Sequence, residues 1–180
     1  MALMLPAELA ARVNLVAKDL SERYSTRVST ASPHITLIPP FDATKSQLGQ
    51  LKADLKKISK TQAPFEVNLK GFNAFPKRVL YVDVANRGEV GLLKGALDVA
   101  LARSCSFIPA SRGKFVPHVS IASKKVQKTI FDEAWGELQN KEFEACWRAT
   151  QLTILLFEDG KQWVEAERFS LQGQRTPLHS

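Results

Sequence analysis

The chain has 180 residues, 44% hydrophobic and 24% charged, enough for one ordinary core or two small lobes that share one. No apolar run approaches the roughly 20 residues that span a bilayer, and Met1–Leu5 is too short for a signal-peptide core. The formal charge of +7 and pI near 9.5 favour anionic partners. A cytoplasmic monomer with no membrane partner is expected. Cys105 and Cys146 have no Cys-x-x-Cys or Cys/His spacing, which argues against a zinc site or disulfide scaffold and suits reduced, buried thiols. Carboxylate-rich metal motifs are missing too, so the sequence asks for no metal and no cofactor.

Ala2–Leu5 reads as a short first strand. Pro6 suits the first turn of a helix, and Leu9, Val13, Val16 and Leu20 recur at helical spacing up to about Tyr24. A polar loop, 25–32, leads into a strand ended by Pro39-Pro40. Thr44 and Gln47 have capping-box spacing for a second helix with Leu48, Leu51, Leu55 and Ile58 inward and Lys52, Lys56 and Lys60 on a solvated face. Phe65, Val67 and Leu69 alternate, and Arg78–Ala85 reads as a strong buried strand broken by Asn86-Arg87-Gly88. Leu93, Leu97 and Leu101 mark a third helix, and a basic loop, 111–114, delivers the chain to a further strand. Ile130, Phe131, Ala134, Trp135 and Leu138 mark a fourth helix. Strands near Phe143–Arg148, Leu152–Phe157 and Trp163–Leu171 close the chain, the last two joined at Asp159-Gly160, a hairpin-turn pair. The fold class is α+β, one domain over residues 1–172 with a polar tail, 173–180, and no linker divides it.

One pentapeptide occurs twice. Pro33-His34-Ile35-Thr36-Leu37 returns as Pro117-His118-Val119-Ser120-Ile121, with every change conservative. A strand projects residues i and i+2 onto one face, so in each copy histidine and hydroxyl point the same way. A lone histidine in a strand is more often a structural residue bonded to backbone. Two matching five-residue copies are far harder to reach by chance. His179, the third histidine, lies in the polar tail and carries no such signal. If the copies sit on facing strands, two imidazoles and two hydroxyls converge on one small oxygen-rich group. That set suits phosphoryl transfer without a metal. One neutral imidazole takes a proton from the attacking oxygen and the other, protonated, supplies one to the leaving oxygen. Thr36 and Ser120 then donate to the non-bridging oxygens. Metal ligation by the histidines lacks an accompanying carboxylate or cysteine, and a duplicated His-x-hydroxyl looks less like a nucleophilic triad than like two phosphate clamps.

The segments Ser32–Phe41 and Phe115–Ala122 resemble the paired His-x-Thr/Ser signatures of the two-histidine (2H) phosphoesterase superfamily, in its branch of LigT-like 2'-5' RNA ligases and cyclic phosphodiesterases. The likeness extends over nearly the whole chain, through the opening strand and Pro-led helix, the Val79–Val84 strand and the closing hairpin. It implies a bilobal fold of two pseudo-symmetric antiparallel sheet lobes with outer helices and a central cleft. It also implies that His34 and His118 are the acid/base pair and Thr36 and Ser120 the phosphate ligands. Members open 2',3'-cyclic phosphates, commonly to 2'-phosphates, or make and break 2'-5' linkages, and others act on cyclic phosphates of ADP-ribose. The second motif departs from the pattern in having Ser where Thr is frequent.

The expectation is therefore a metal-independent phosphodiesterase or 2'-5' RNA ligase-like enzyme of RNA processing, acting on RNA or a nucleotide with a cyclic phosphate or 2'-5' linkage. In hydrolysis His118 activates water and His34 protonates the leaving oxygen, an assignment that the pseudo-symmetry leaves reversible. The alternative is an RNA- or nucleotide-binding module of the same fold with little chemistry. Further candidate contacts are Phe41, placed to stack on a base; Arg112 and Lys114 before the second motif; and Lys161 and Trp163 in the closing hairpin. For each of these five a structural or solvent-facing role is at least as good a reading.

Overall fold

The computed structural model describes residues 1–26, 29–110, 113–123 and 128–174. Its elements follow in the order β1 (Ala2–Met4), α1 (Ala7–Tyr24), β2 (His34–Thr36), α2 (Lys45–Thr61), β3 (Phe65–Phe75), β4 (Val79–Val84), α3 (Arg87–Ser104), β5 (His118–Ser123), α4 (Lys128–Leu138), β6 (Glu144–Ala149), β7 (Gln151–Glu158) and β8 (Gln162–Ser170). All eight strands join one antiparallel sheet in the order β6-β3-β4-β5-β2-β1-β7-β8. The two expected lobes are its halves, β6-β3-β4-β5 and β2-β1-β7-β8, and they meet at the two motif strands.

Local chemistry places these elements. Pro6 stands just before the first turn of α1, at its N-cap position and without a side-chain capping bond, and the helix buries Leu9, Val13 and Leu20, the apolar stripe legible at helical spacing. At the start of α2 the Thr44 hydroxyl accepts from Gln47 N at 3.2 Å and the Gln47 side chain accepts from Thr44 N at 2.8 Å, a complete capping box. Leu51, Leu55 and Ile58 of α2 are buried, whereas Leu48 is only half-buried. Lys52 is not purely solvated, since its ammonium lies 2.8 Å from Glu167 of β8 and ties α2 to the sheet. Asp159 and Gly160 both have positive φ, 52° and 66°, as a type I′ turn requires, and Lys161 N closes it on Glu158 O at 3.0 Å.

The core lies on the helix-covered face of the sheet. Leu3, Ile35, Val119 and Val82, one from each of the four central strands, are at most 1% exposed, and α1 packs on β5, α2 on β8 and α3 on β3. Alternation along each strand then sends the neighbours of these residues to the opposite, open face. No helix among the described residues is long and apolar enough to cross a membrane.

Three expectations are revised. β3 continues to Phe75 instead of ending near Leu69, because Gly71 (φ 66°) forms a bulge that shifts the pairing between Leu69 and Phe72 and reverses which residues face the core. As expected, the strand β4 ends before Asn86-Arg87-Gly88 and a helix follows, with Arg87 and Gly88 in the first turn of α3. Asn86 precedes that helix without capping it; its side chain instead bonds Glu66 O and Asn68 N on β3. Of the two thiols, Cys105 is buried but Cys146, on the edge strand β6, is exposed. Gly173, the expected first residue of the tail, is tied to α2 through a 3.0 Å bond from its N–H to Gln62 O. A Cβ there would meet Thr61 O at 2.5 Å, so only glycine fits.

Candidate active site

The motif strands β2 and β5 are direct neighbours, paired antiparallel through Ile35 and Val119. One step to either side of that pair sets His34 opposite Ser120 and Thr36 opposite His118. Because Ile35 and Val119 are sealed in the core, all four polar side chains project to the open face at the junction of the two lobes. His34, Thr36 and His118 are half-buried and Ser120 is exposed, so the group is reachable from solvent.

Both imidazoles are held in the same way. His34 Nδ1 lies 2.7 Å from Ser32 O, and His118 Nδ1 lies 2.7 Å from Val116 O. A carbonyl can only accept, so each Nδ1 carries the proton and donates it. The neutral rings therefore present a bare Nε2 to the cleft. Burial pushes both imidazoles below their ordinary value of 6.5, against a smaller opposing effect of the carbonyl bonds. Beyond that the two differ. His34 is depressed further by the Met1 ammonium and by His118, whereas Asp83 raises His118.

That difference follows from the flanking strands. Outside β2 lies β1, which puts Ala2 opposite Thr36 and Met4 opposite His34. Outside β5 lies β4, which puts Tyr81 opposite Ser120 and Asp83 opposite His118. The strand beside His34 thus offers apolar side chains and the strand beside His118 polar-tipped ones. The Asp83 carboxylate accepts from Arg87 Nη2 at 2.7 and 2.5 Å and from Asn73 Nδ2 at 3.2 Å. The His118 ring rests against Tyr81 and Phe75, with centroids 4.9 and 5.0 Å away. Asp83 and Tyr81 went unrecognised in the sequence because Val79–Val84 reads as buried strand. The signal was there, as two polar-tipped residues at i and i+2 in an otherwise aliphatic run.

On the His34 side a cavity of about 620 Å³ opens, lined by His34, Thr36, Phe41, Leu155, Phe157 and Trp163 among others. Phe41 and Trp163 are therefore brought to the first motif, with the Trp163 ring packed at a tilt against Phe157, centroids 5.1 Å apart. Lys161 is exposed in the β7–β8 turn and Lys114 is exposed before β5; neither lines this cavity. Arg112 and His179 lie outside the described residues.

An antiparallel sheet with a His-x-hydroxyl pair on each of two abutting strands is the architecture of a two-histidine phosphoesterase. A profile of the 2'-5' RNA ligase superfamily matches residues 5–161, and the chain belongs to that superfamily. An RNA 2',3'-cyclic phosphodiesterase of Aquifex aeolicus is 32% identical over 174 residues, covering 89% of this chain and 92% of its own. Two solved structures share the fold. A protein of Thermus thermophilus superposes with a TM-score of 0.72 at 20% identity, covering 97% of both chains. Escherichia coli LigT, crystallised with 3'-AMP, gives 0.70 at 21% identity, covering 94% of this chain and 95% of that one. The protein is a member of the 2H enzyme family, of phosphoesterase type.

Proposed function

We infer that the protein opens 2',3'-cyclic phosphates of RNA ends or nucleotides, giving 2'-phosphates with water as nucleophile, and that the same site makes 2'-5' linkages, reversibly, when a ribose 5'-hydroxyl takes the place of water. The observation that carries this reading is the pair of imidazoles, each fixed by an Nδ1–H to carbonyl bond so that Nε2 faces one hydroxyl-lined cleft. In support, the Aquifex relative is an RNA 2',3'-cyclic phosphodiesterase and the LigT structure holds 3'-AMP, the one an activity and the other a ligand of nucleotide type.

The asymmetry of the cleft divides the labour. The aromatic cavity beside His34 is the place for a nucleoside, whose base stacks on Phe41 or Trp163. The phosphoryl group then lies over the tetrad with its ribose on the His34 side. Water attacks from the His118 side, in line with the leaving ribosyl 3'-oxygen. His118 Nε2 takes a proton from that water as the new P–O bond forms. The P–O3' bond breaks, and the oxygen takes its proton from His34 Nε2–H. Asp83 stabilises the imidazolium that His118 becomes, and the depressed affinity of His34 for its proton makes it the better donor. Thr36 and Ser120 donate to the non-bridging oxygens, where charge accumulates. Proton transfer and charge stabilisation are both supplied by side chains, so the step as written uses no metal.

Turnover of 2',3'-cyclic mononucleotides, ADP-ribose cyclic phosphate, 2'-5'-linked oligonucleotides and cyclic-phosphate-ended RNA, followed by phosphorus NMR, tests the reading. A 2'-phosphate product formed equally with and without EDTA is expected. Dependence on a divalent metal would point to a metal-assisted site, and binding without turnover to a nucleotide-binding module.

A further inference from the structure

Tyr81 is 3% exposed, and its ring is accounted for by packing between Phe75, at 4.7 Å, and His118, at 4.9 Å. Its hydroxyl is not. Among the described residues no group hydrogen-bonds it, yet only Thr26 Oγ1 is both sealed from solvent and unpaired. The phenolic oxygen therefore reaches the cleft surface, on the strand next to Ser120 and on the same face. Phenylalanine would fill the same space between Phe75 and His118, so ring packing does not account for the hydroxyl. Burial and the Asp83 carboxylate raise the phenol above its ordinary value of 10, more than Arg87 lowers it, so near neutrality the group is a donor.

We propose that Tyr81 touches substrate, its hydroxyl donating a hydrogen bond to the non-bridging phosphoryl oxygen on the Ser120 side as a third donor beside Thr36 and Ser120. The Tyr81 proton stays on its oxygen throughout; the group stabilises charge and transfers nothing. This rests on the cyclic-phosphate reading and adds a consequence to it. Across the cleft, the strand next to Thr36 offers Ala2, which has no donor. One non-bridging oxygen thus receives two side-chain hydroxyls and the other receives one, and the nearly symmetric tetrad distinguishes the two faces of phosphorus.

The test compares wild type, Tyr81→Phe and His118→Ala on a nucleoside 2',3'-cyclic phosphate and on its two non-bridging phosphorothioate diastereomers. Sulfur accepts hydrogen bonds poorly, so wild type should disfavour the diastereomer that places sulfur on the Ser120 side. Tyr81→Phe should lose about 10²-fold in kcat on the oxygen substrate, the order of one oxyanion donor. It should also narrow the preference between diastereomers, and it should melt no lower than wild type because the ring packing is kept. Wild-type kcat in Tyr81→Phe, or an unchanged diastereomer ratio, overturns the proposal and leaves the two-histidine reading intact. Wild-type turnover no faster than that of His118→Ala overturns the reading and the proposal with it.

Discussion

The two histidines share one backbone anchor and differ in their neighbours, and that contrast governs what substitutions do. His34→Ala and His118→Ala each delete a proton-transfer group, so steady-state turnover of a cyclic phosphate should fall about 10²- to 10⁴-fold in either variant. Thr36→Val should cost less, since it removes one donor and leaves both proton transfers. Asp83 acts one step removed from the chemistry. Its charge favours the protonated form of His118, so Asp83→Asn should move the His118 titration, followed by imidazole NMR, to lower pH. A structural role for Asp83 alone would lower the melting temperature and leave that titration in place.

At the scale of elements, the bulge at Gly71 connects a sequence detail to the site. It turns Asn73 and Phe75 toward the open face, where Asn73 bonds Asp83 and Phe75 meets His118. A Cβ at Gly71 would meet no atom within 4 Å, but the residue sits at φ 66°, so Gly71→Ala should cost roughly 1–2 kcal/mol through backbone strain alone, measurable by urea unfolding. The same bulge explains why part of the fold was hidden in the sequence. Phe65, Val67 and Leu69 face the core, but beyond Gly71 the inward residues are Phe72 and Ala74, so the alternation changes phase and imitates a strand end. Where local chemistry is self-contained, as in the Thr44–Gln47 capping box and the Asp159-Gly160 turn, the sequence showed it directly. The repeated motif fixed which side chains share a face, because a period of two is enough for that. It could not show that β2 and β5 are neighbours, or that Tyr81 and Asp83 stand next to the second motif, because pairing between distant strands leaves no local mark.

The whole molecule adds charge and proton linkage. Both imidazoles titrate below 6.5 when folded, so as pH falls through about 6.5 the unfolded chain takes up protons that the folded one does not. Their contribution to stability is thus complete above 6.5 and is lost as pH falls toward the folded values. Urea unfolding across this range should show a downward slope in stability that flattens in the His34→Ala, His118→Ala double variant. The net charge of +7 makes a second prediction. RNA with a terminal cyclic phosphate brings several phosphates against the basic surface, and its affinity should fall steeply with salt through counterion release. A cyclic mononucleotide, confined to the cleft, should show a shallow dependence. Parallel salt slopes would make the substrate a small nucleotide and the charge a matter of solubility.

The division of labour between the histidines is tested most directly by a 2',3'-cyclic phosphorothiolate with sulfur bridging at the 3' position. A thiolate leaves without needing a proton, so the analogue bypasses the general acid and leaves the general base in place. On this substrate His34→Ala should recover most of the wild-type rate while His118→Ala stays as impaired as on the oxygen compound. Recovery in His118→Ala instead, or in neither variant, would contradict the assignment of His118 as base and His34 as acid.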